Sequence, residues 1–322
     1  MTAVPIKKSQ KLGYVIFLHS FLLLFYSGVS FSEAHNALGT RKNPIKIIIL
    51  PSNQSTKSFT KPKVFSECLE KKSGYSVNIS LSNSNMTVVE SIGSKRADVA
   101  IAEILSYLRA RQKYGVQAVL KVSHFNKTFY KSMIIVRTSD YKNKVITSVK
   151  DLKGKKFGYS DESSASSFLL PASYMKDHDI SPVKMIRKGS VEAAITSLVQ
   201  NQVDAASGYY EGVGEKQDAR HSLLTTHPDI YKSTRIIWTS HPIPNEPIIV
   251  RKDLKKEIDL KRLVIALQGC VSDYPNFINN IDKLVKISNE REEYLPFVKL
   301  LKSNDFEFGK KLNFNEKFLK NF

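Results

Sequence analysis

The residues best suited to chemistry form one run, Ser160-Asp161-Glu162-Ser163-Ser164-Ala165-Ser166-Ser167, followed by Phe168-Leu169-Leu170-Pro171. It leaves a strand-like segment at Tyr159 and enters an apolar helical one. Ser164 is placed to cap that helix, because its hydroxyl can accept from a first-turn amide. Ala165, Ser166 and Ser167 would then form the first turn. Amides there have no acceptor within a helix and stand at the positive end of its dipole. With hydroxyls beside them, the natural guest is an oxyanion. An ordinary serine-capped helix is the structural alternative. Pro171 is expected to kink the helix by removing one backbone bond. A second helix start, Gly189-Ser190 with Val191, Ala194, Ile195 and Leu198 at helical spacing, reads as mainly structural.

Other chemistries lack their residues. The seven histidines are scattered, and none stands in a nucleophile–base motif. There is no Cys-x-x-Cys and no Cys/His cluster with metal-ligand spacing. The sequence therefore predicts no enzyme, no metal and no cofactor. Two cysteines are too few for a disulfide scaffold. Cys68 and Cys270 can pair in an oxidising compartment, but two buried free thiols are the preferred expectation.

The elements that must position the serine turn alternate between strand and helix, which argues for parallel sheets covered by helices. Ile45 to Leu50 is a buried apolar run, Val64 to Lys72 a helix stopped at Gly74, and Tyr75 to Leu81 an alternating strand. Two blocks echo each other. Val88, Val89 and Ile92 precede Asp98-Val99-Ala100, and Ala194, Ile195 and Leu198 precede Asp204-Ala205-Ala206. A serine (Ser91, Ser197) comes just before the last helical apolar residue of each. Two lobes on one plan would produce that repeat. Between Ile243 and Asp253 two prolines, Pro244 and Pro247, directly after Pro242, stiffen a segment suited to crossing between lobes.

The N-terminus carries Lys7, Lys8 and Lys11, an apolar run from Leu12 to Tyr26, and small residues ending at Ala34. That is the pattern of a signal peptide, 1–34, and implies a periplasmic or extracellular protein. An uncleaved anchor is the alternative, although the run falls short of the ~20 apolar residues that span a bilayer. Removal leaves about 290 residues, near the size at which one core divides into two. It also lowers the formal charge from +19 to +17. For an exported chain that excess charge favours an anionic solute or anionic lipid over nucleic acid, and because it is spread along the chain rather than gathered in one tract, an ordinary solvated basic surface is an equal alternative.

Together these residues resemble the phosphate/phosphite/phosphonate-binding proteins of ABC importers, a group of type II periplasmic binding proteins. The likeness runs through Tyr130-Lys131-Ser132, Asp151-Leu152-Lys153-Gly154-Lys155, and Asp161 to Pro171. It continues through Gly189-Ser190 with Ala193-Ala194 and Val203-Asp204-Ala205, then Ile243 to Pro247, and Val250 to Leu254. The resemblance implies an α/β fold of two Rossmann-like lobes joined by a two-strand hinge. Lobe 1 would comprise 43–132 and 247–322, and lobe 2 would comprise 133–246. It implies capture of a phosphonate, phosphite, phosphate or related oxyanion between the lobes, and an ABC permease as the membrane partner of a monomer.

It also implies site residues. Ser164 and Ser166 match the family's oxyanion-binding serines, with Ala165 and Ser167 standing for its threonine and glycine. Tyr130 matches a ligand-facing tyrosine, and Asn85 lies where another tyrosine is usual. Glu246, and more loosely Glu211, stand where a carboxylate can face an amine on the ligand. Val191 replaces a histidine. Tyr107 keeps a family tyrosine, but the Gly-Pro upstream of it is Glu103-Ile104. These departures leave open a carboxylate, a sulfonate, or a sensor or surface-interaction role without transport.

Overall fold

The computed structural model describes residues 37–50, 62–182, 184–212, 217–274, 281–303 and 316–320. The segment 1–34, read from the sequence as a signal peptide, lies outside them. Among the described residues, no helix is long and apolar enough to cross a membrane.

The chain begins a first sheet with β1 (Ile45–Ile49), in which all four isoleucines are buried. Burial on both faces is what a parallel strand under helices requires. Helix α1 (Pro62–Ser73) stops before Gly74, which adopts a left-handed φ of 68°. Strand β2 (Val77–Leu81), helix α2 (Asn85–Gly93), strand β3 (Val99–Ile101), helix α3 (Ile104–Tyr114) and strand β4 (Gln117–Ser123) follow.

The chain then crosses to a second sheet. It builds β5 (Phe129–Arg137), β6 (Lys156–Tyr159), helix α4 (Leu170–Asp177), β7 (Lys184–Arg187), helix α5 (Val191–Val199) and β8 (Ala205–Tyr210), then β9 (Thr234–Thr239) and β10 (Ile243–Pro244). A return crossing at Asn245 and Glu246 leads to β11 (Pro247–Val250), helix α6 (Leu260–Asp273), β12 (Lys283–Lys286) and helix α7 (Glu290–Ser303). The first sheet has the order β12-β4-β11-β3-β1-β2. The second has the order β10-β5-β8-β6-β7, with β9 also on β5. Strand β11 thus enters the first sheet late in the sequence, between β3 and β4 and antiparallel to both.

The two crossings brace each other. The Asn245 N–H donates to the Thr128 carbonyl (3.0 Å), and its side-chain amide donates to the carbonyls of Val122 and Lys127 (3.3 and 2.9 Å). One apolar cluster joins the sheets: Ala165, Leu169, Leu170 and Ile243 share it with Ile48, Val88, Leu105 and Leu108.

The echoed blocks are one device used twice. Asp98 lies across from the start of β1, accepting from the Lys46 N–H at 2.8 Å and donating its own N–H to the Lys46 carbonyl. Asp204 treats Lys156 of β6 the same way, also at 2.8 Å. An arginine closes each arrangement: Arg251 on Asp98 (2.7 Å) and Arg137 on Asp204 (3.4 Å).

The expectation of free thiols is wrong. Cys68 of α1 and Cys270 of α6 form a disulfide, with Cα atoms 5.9 Å apart. The two helices pack side by side over the first sheet, although 202 residues separate the cysteines in sequence.

Candidate functional site

Every predicted site residue lies just beyond the carboxyl end of a parallel strand or on the crossings beside it. This is where open α/β sheets leave room for a ligand. Asn85 follows β2, the serine turn follows β6, and Glu211 follows β8. Tyr130 opens β5, which runs antiparallel to β8. Continuing the Lys131–Tyr210 register by one step sets Tyr130 across from Glu211. Continuing the Ile248–Ile101 register between β11 and β3 sets Glu246 across from Glu103.

The serine turn is not a plain α-helical start. Ala165–Leu169 is a π-helical turn that widens into α4. Leu169 N–H reaches back to the Ser164 carbonyl, and Leu170 N–H to that of Ala165, each five residues apart. The carbonyls stranded by this spacing are satisfied from other strands. The Ser132 hydroxyl of β5 donates to the Ser166 carbonyl, and the Ser207 hydroxyl of β8 donates to that of Ser167. Pro171 therefore does not kink a helix from within. It lies in the first turn of α4, where no amide is needed. The irregularity falls ahead of it, and the Ser167 carbonyl that a proline four residues on would strand is the one Ser207 serves.

The donors left for a ligand follow from the same accounting. The Ser164 hydroxyl caps the turn by accepting from the Ser167 N–H at 3.1 Å. The Ser167 hydroxyl accepts from the Ser160 N–H (2.9 Å) and donates to the Ser207 carbonyl (3.3 Å). Ser167 thus has neither amide nor hydroxyl to offer, which corrects the expectation that it binds ligand. The amides of Ala165 and Ser166 donate to no acceptor among the described residues. The Ser166 hydroxyl stands beside the Tyr130 phenol and opposes its upward shift. Burial, then the carboxylates of Glu246 and Glu103, push the Tyr130 phenol well above its usual range, so at neutral pH it remains a proton donor.

Facing these donors is a group of carboxylates. Burial alone would raise Glu246, but the hydrogen bond and charge of His124 (Nε2 to Oε2, 3.3 Å) outweigh it and hold Glu246 below the usual range. Glu211 is pushed up to about 7 by burial, helped by the charges of Glu246 and Asp282 and opposed by His124 and Lys127. Its Oε2 is buried without a hydrogen-bond partner. Glu103 keeps open surface, yet it is surrounded by enough protein that burial, with Glu246 and Asp161, pushes it to about 7. The Asn85 amide opposes that shift by donating to Glu103 Oε2 at 3.0 Å. Asn85 is itself oriented, because the Ser106 hydroxyl donates to its Oδ1 at 2.7 Å.

Two other sequence candidates are structural. Ser190 caps α5 by accepting from the Ala193 N–H (3.1 Å). Tyr107 is fully buried against Tyr294, and its hydroxyl donates to Glu290 Oε1 at 2.6 Å. Glu290 also accepts from Arg111 (2.7 Å) and from the Ala118 N–H (2.7 Å), and so fastens α7 to the first lobe. Sequence reasoning missed His124, which carries no motif. It met Glu103 only as a departure from a family pattern.

Residues 47–270 match the family model described as ABC transporter, phosphonate, periplasmic substrate-binding protein. The chain is 26% identical over 245 residues to the phosphonates-binding periplasmic protein of Escherichia coli (strain K12), covering 74% of this chain and 69% of that protein. Among solved structures it is similar to a binding protein component of an ABC phosphonate transporter from Pseudomonas aeruginosa. The TM-score is 0.63 at 20% identity, covering 86% of this chain and 96% of that one. It is also similar to PhnD1 from Prochlorococcus marinus in complex with methylphosphonate, with TM-score 0.61 at 18% identity, covering 84% and 98%.

Proposed function

Because the chain belongs to the periplasmic substrate-binding proteins of phosphonate ABC transporters, we propose that it captures an amino-bearing phosphonate between its two sheets. Such a protein binds and releases its solute and performs no reaction on it. The observation that carries the ligand reading is the set of free donors on the serine turn with carboxylates across Tyr130 from them: Glu246, held by His124, and Glu211, whose Oε2 has no partner. The amides of Ala165 and Ser166, with the hydroxyls of Ser164, Ser166 and Tyr130, receive the phosphonate oxygens. Glu246 and Glu211 face the amine. A bare dianion beside these carboxylates would be repelled, whereas a zwitterion satisfies both ends. The missing histidine at Val191 and the missing tyrosine at Asn85 remove two anion contacts, so more of the recognition falls on the turn and on the cationic end.

In this reading the lobes are 43–132 with 247–322, and 133–246. The crossings beside Asn245 form the hinge, the mature protein is a monomer, and 1–34 is the export signal. The loaded protein delivers its solute to a membrane permease. Calorimetric titration of the purified protein with methylphosphonate, 2-aminoethylphosphonate, phosphate and a sulfonate tests the ligand class. Binding of phosphonates, tightest for the amino compound, is the expected outcome. Failure of every phosphonate, or a sulfonate binding more tightly, would overturn it.

A further inference from the structure

The positive charge of this chain is not evenly placed in the fold. Strands β1 to β4 run parallel and β11 runs against them, so the loops before β1, β2, β3 and β4 meet the loop after β11 at one end of the first sheet. That end lies opposite the cleft. The stretches 37–46, 74–76, 94–98, 115–116 and 251–262 compose it, with eleven lysines and arginines against four acidic residues. Residues 287–289, which follow β12 at the same end, add no charge. At the cleft end of this sheet the described loops reverse the balance, with Lys127 and Lys283 against Glu103, Glu246 and Asp282. The five residues of β1 put about 17 Å between the two ends, roughly twice the screening length in physiological salt. The basic end therefore does little for a solute in the cleft, and the solute does not account for it.

Local bonding leaves this end more positive still. Three of its four acids are gathered on one buried arginine: Arg251 holds Asp98 (2.7 Å), Asp253 (2.6 Å) and Glu257 (2.6 Å). Asp253 is shared with Lys95 (2.5 Å), and Asp259 caps α6 by accepting from the Arg262 N–H at 3.2 Å. Arg41, Lys42, Lys252, Lys255, Lys256 and Lys261 are exposed and form no ion pair among the described residues. The loops are knit into one face. Lys46 Nζ donates to the Lys95 carbonyl (3.3 Å), Arg262 stacks on the Tyr75 ring (4.1 Å), and Gly39 packs against the same ring. One turn along α6 from Lys261, Ile265 is 59% exposed, more than any other large apolar side chain among the described residues. The described chain also enters at this face, through the exposed Ala37. Three residues span at most about 11 Å, so the segment 1–34 leaves from here.

We propose that this basic end of the first lobe is a docking surface for the headgroups of an anionic phospholipid bilayer. Five adjacent strands spread the loops over about 19 Å, too broad for one small anion and suited to a flat layer of phosphates. Exposed lysines on several loops reach such a layer together, and Ile265 beside Lys261 and Arg262 supplies an apolar contact at its boundary with the acyl chains. A merely solvated basic surface would explain the number of cations but not their segregation to one end, with the acids drawn inward. Docked this way, the protein is concentrated at the membrane while its cleft, at the opposite end of the lobe, faces solution and stays open to solute.

The test sediments the chain without 1–34, the mature form in the reading above, with phosphatidylcholine vesicles and with vesicles of two parts phosphatidylcholine to one part phosphatidylglycerol. A basic residue close to an anionic surface contributes about fivefold in affinity. Wild type is expected to bind only the anionic vesicles, and about tenfold or more weakly at about 0.15 M salt than at about 0.01 M. Lys252→Glu with Lys255→Glu and Lys256→Glu should lose about tenfold or more. The same charge change on exposed lysines of the second lobe, Lys142→Glu with Lys144→Glu and Lys153→Glu, should alter binding less than about threefold. Lys252→Gln with Lys255→Gln and Lys256→Gln removes three charges at similar size; it should lose about tenfold and decides the matter if the reversed variant unfolds. No binding to the anionic vesicles, equal binding to the neutral ones, or equal loss from the two sets of lysines would each overturn the proposal and leave the reading of the cleft untouched.

Discussion

Replacing Ser166 with alanine separates the binding role of the serine turn from its architecture. The carbonyl of Ser166 is held by Ser132 and its amide is free, so neither depends on the side chain. What disappears is one hydroxyl, beside the Tyr130 phenol and in the same turn as the two free amides. A hydrogen bond to a charged group contributes about 1.5–3 kcal/mol, which is roughly 10- to 150-fold in affinity. Ser164→Ala differs, because that hydroxyl also caps the turn at 3.1 Å and its loss should cost about 1 kcal/mol of stability as well. The double variant should lose less than the sum in binding, since both hydroxyls would serve one anion. Calorimetry with 2-aminoethylphosphonate measures the affinities, and thermal melting without ligand measures the cap. If the double variant is folded and binds within twofold of wild type, the turn is not the anion site. If Ser166→Ala lowers the melting temperature as much as Ser164→Ala, the division of roles is wrong.

Two further outcomes concern the scaffold. The chain-entropy model assigns ~5 kcal/mol to closing a loop of 202 residues, an upper figure. Cys68→Ser with Cys270→Ser should therefore lower denaturant stability by several kcal/mol, while a loss under about 1 kcal/mol would refute that estimate. Glu290→Ala removes the acceptor shared by Tyr107, Arg111 and Ala118, and should cost about 2–4 kcal/mol. That is the lower side for a buried pair, because both charged side chains keep some solvent contact. Urea unfolding followed by fluorescence measures it, and an unchanged midpoint would show that α7 is held by apolar contacts alone.

Much of the scaffold is legible in the chain because each signal is local. The isoleucines of β1, the stop at Gly74 and the matched Asp98 and Asp204 all act through neighbours in sequence or through one adjacent strand. The N-cap role of Ser164 is local in the same way. The rest depends on partners far away. Ser167 has the same side chain as Ser166, yet Ser207 takes it into the core, forty residues away in sequence. Tyr107 reads only as a retained family tyrosine, and its role comes from Glu290, 183 residues on, which holds its hydroxyl. Cys68 and Cys270 meet only because two helices lie side by side on one sheet. His124 and Glu103 acquire meaning from register, which no motif records.

The late arrival of β11 sets an order of assembly. Strands β3 and β4 are both made by residue 123, but the strand that joins them comes only at Pro247–Val250. A chain emerging N-terminus first can pair all of the second sheet, 129–244, before the first sheet has its centre. Until then β3 and β4 present open edges, the kind that recruit wrong partners. The second lobe should therefore be an early, self-contained folding unit, and the first a late one. Oxidation of Cys68 with Cys270 then acts as a late lock, set after β11 has closed the centre of the sheet.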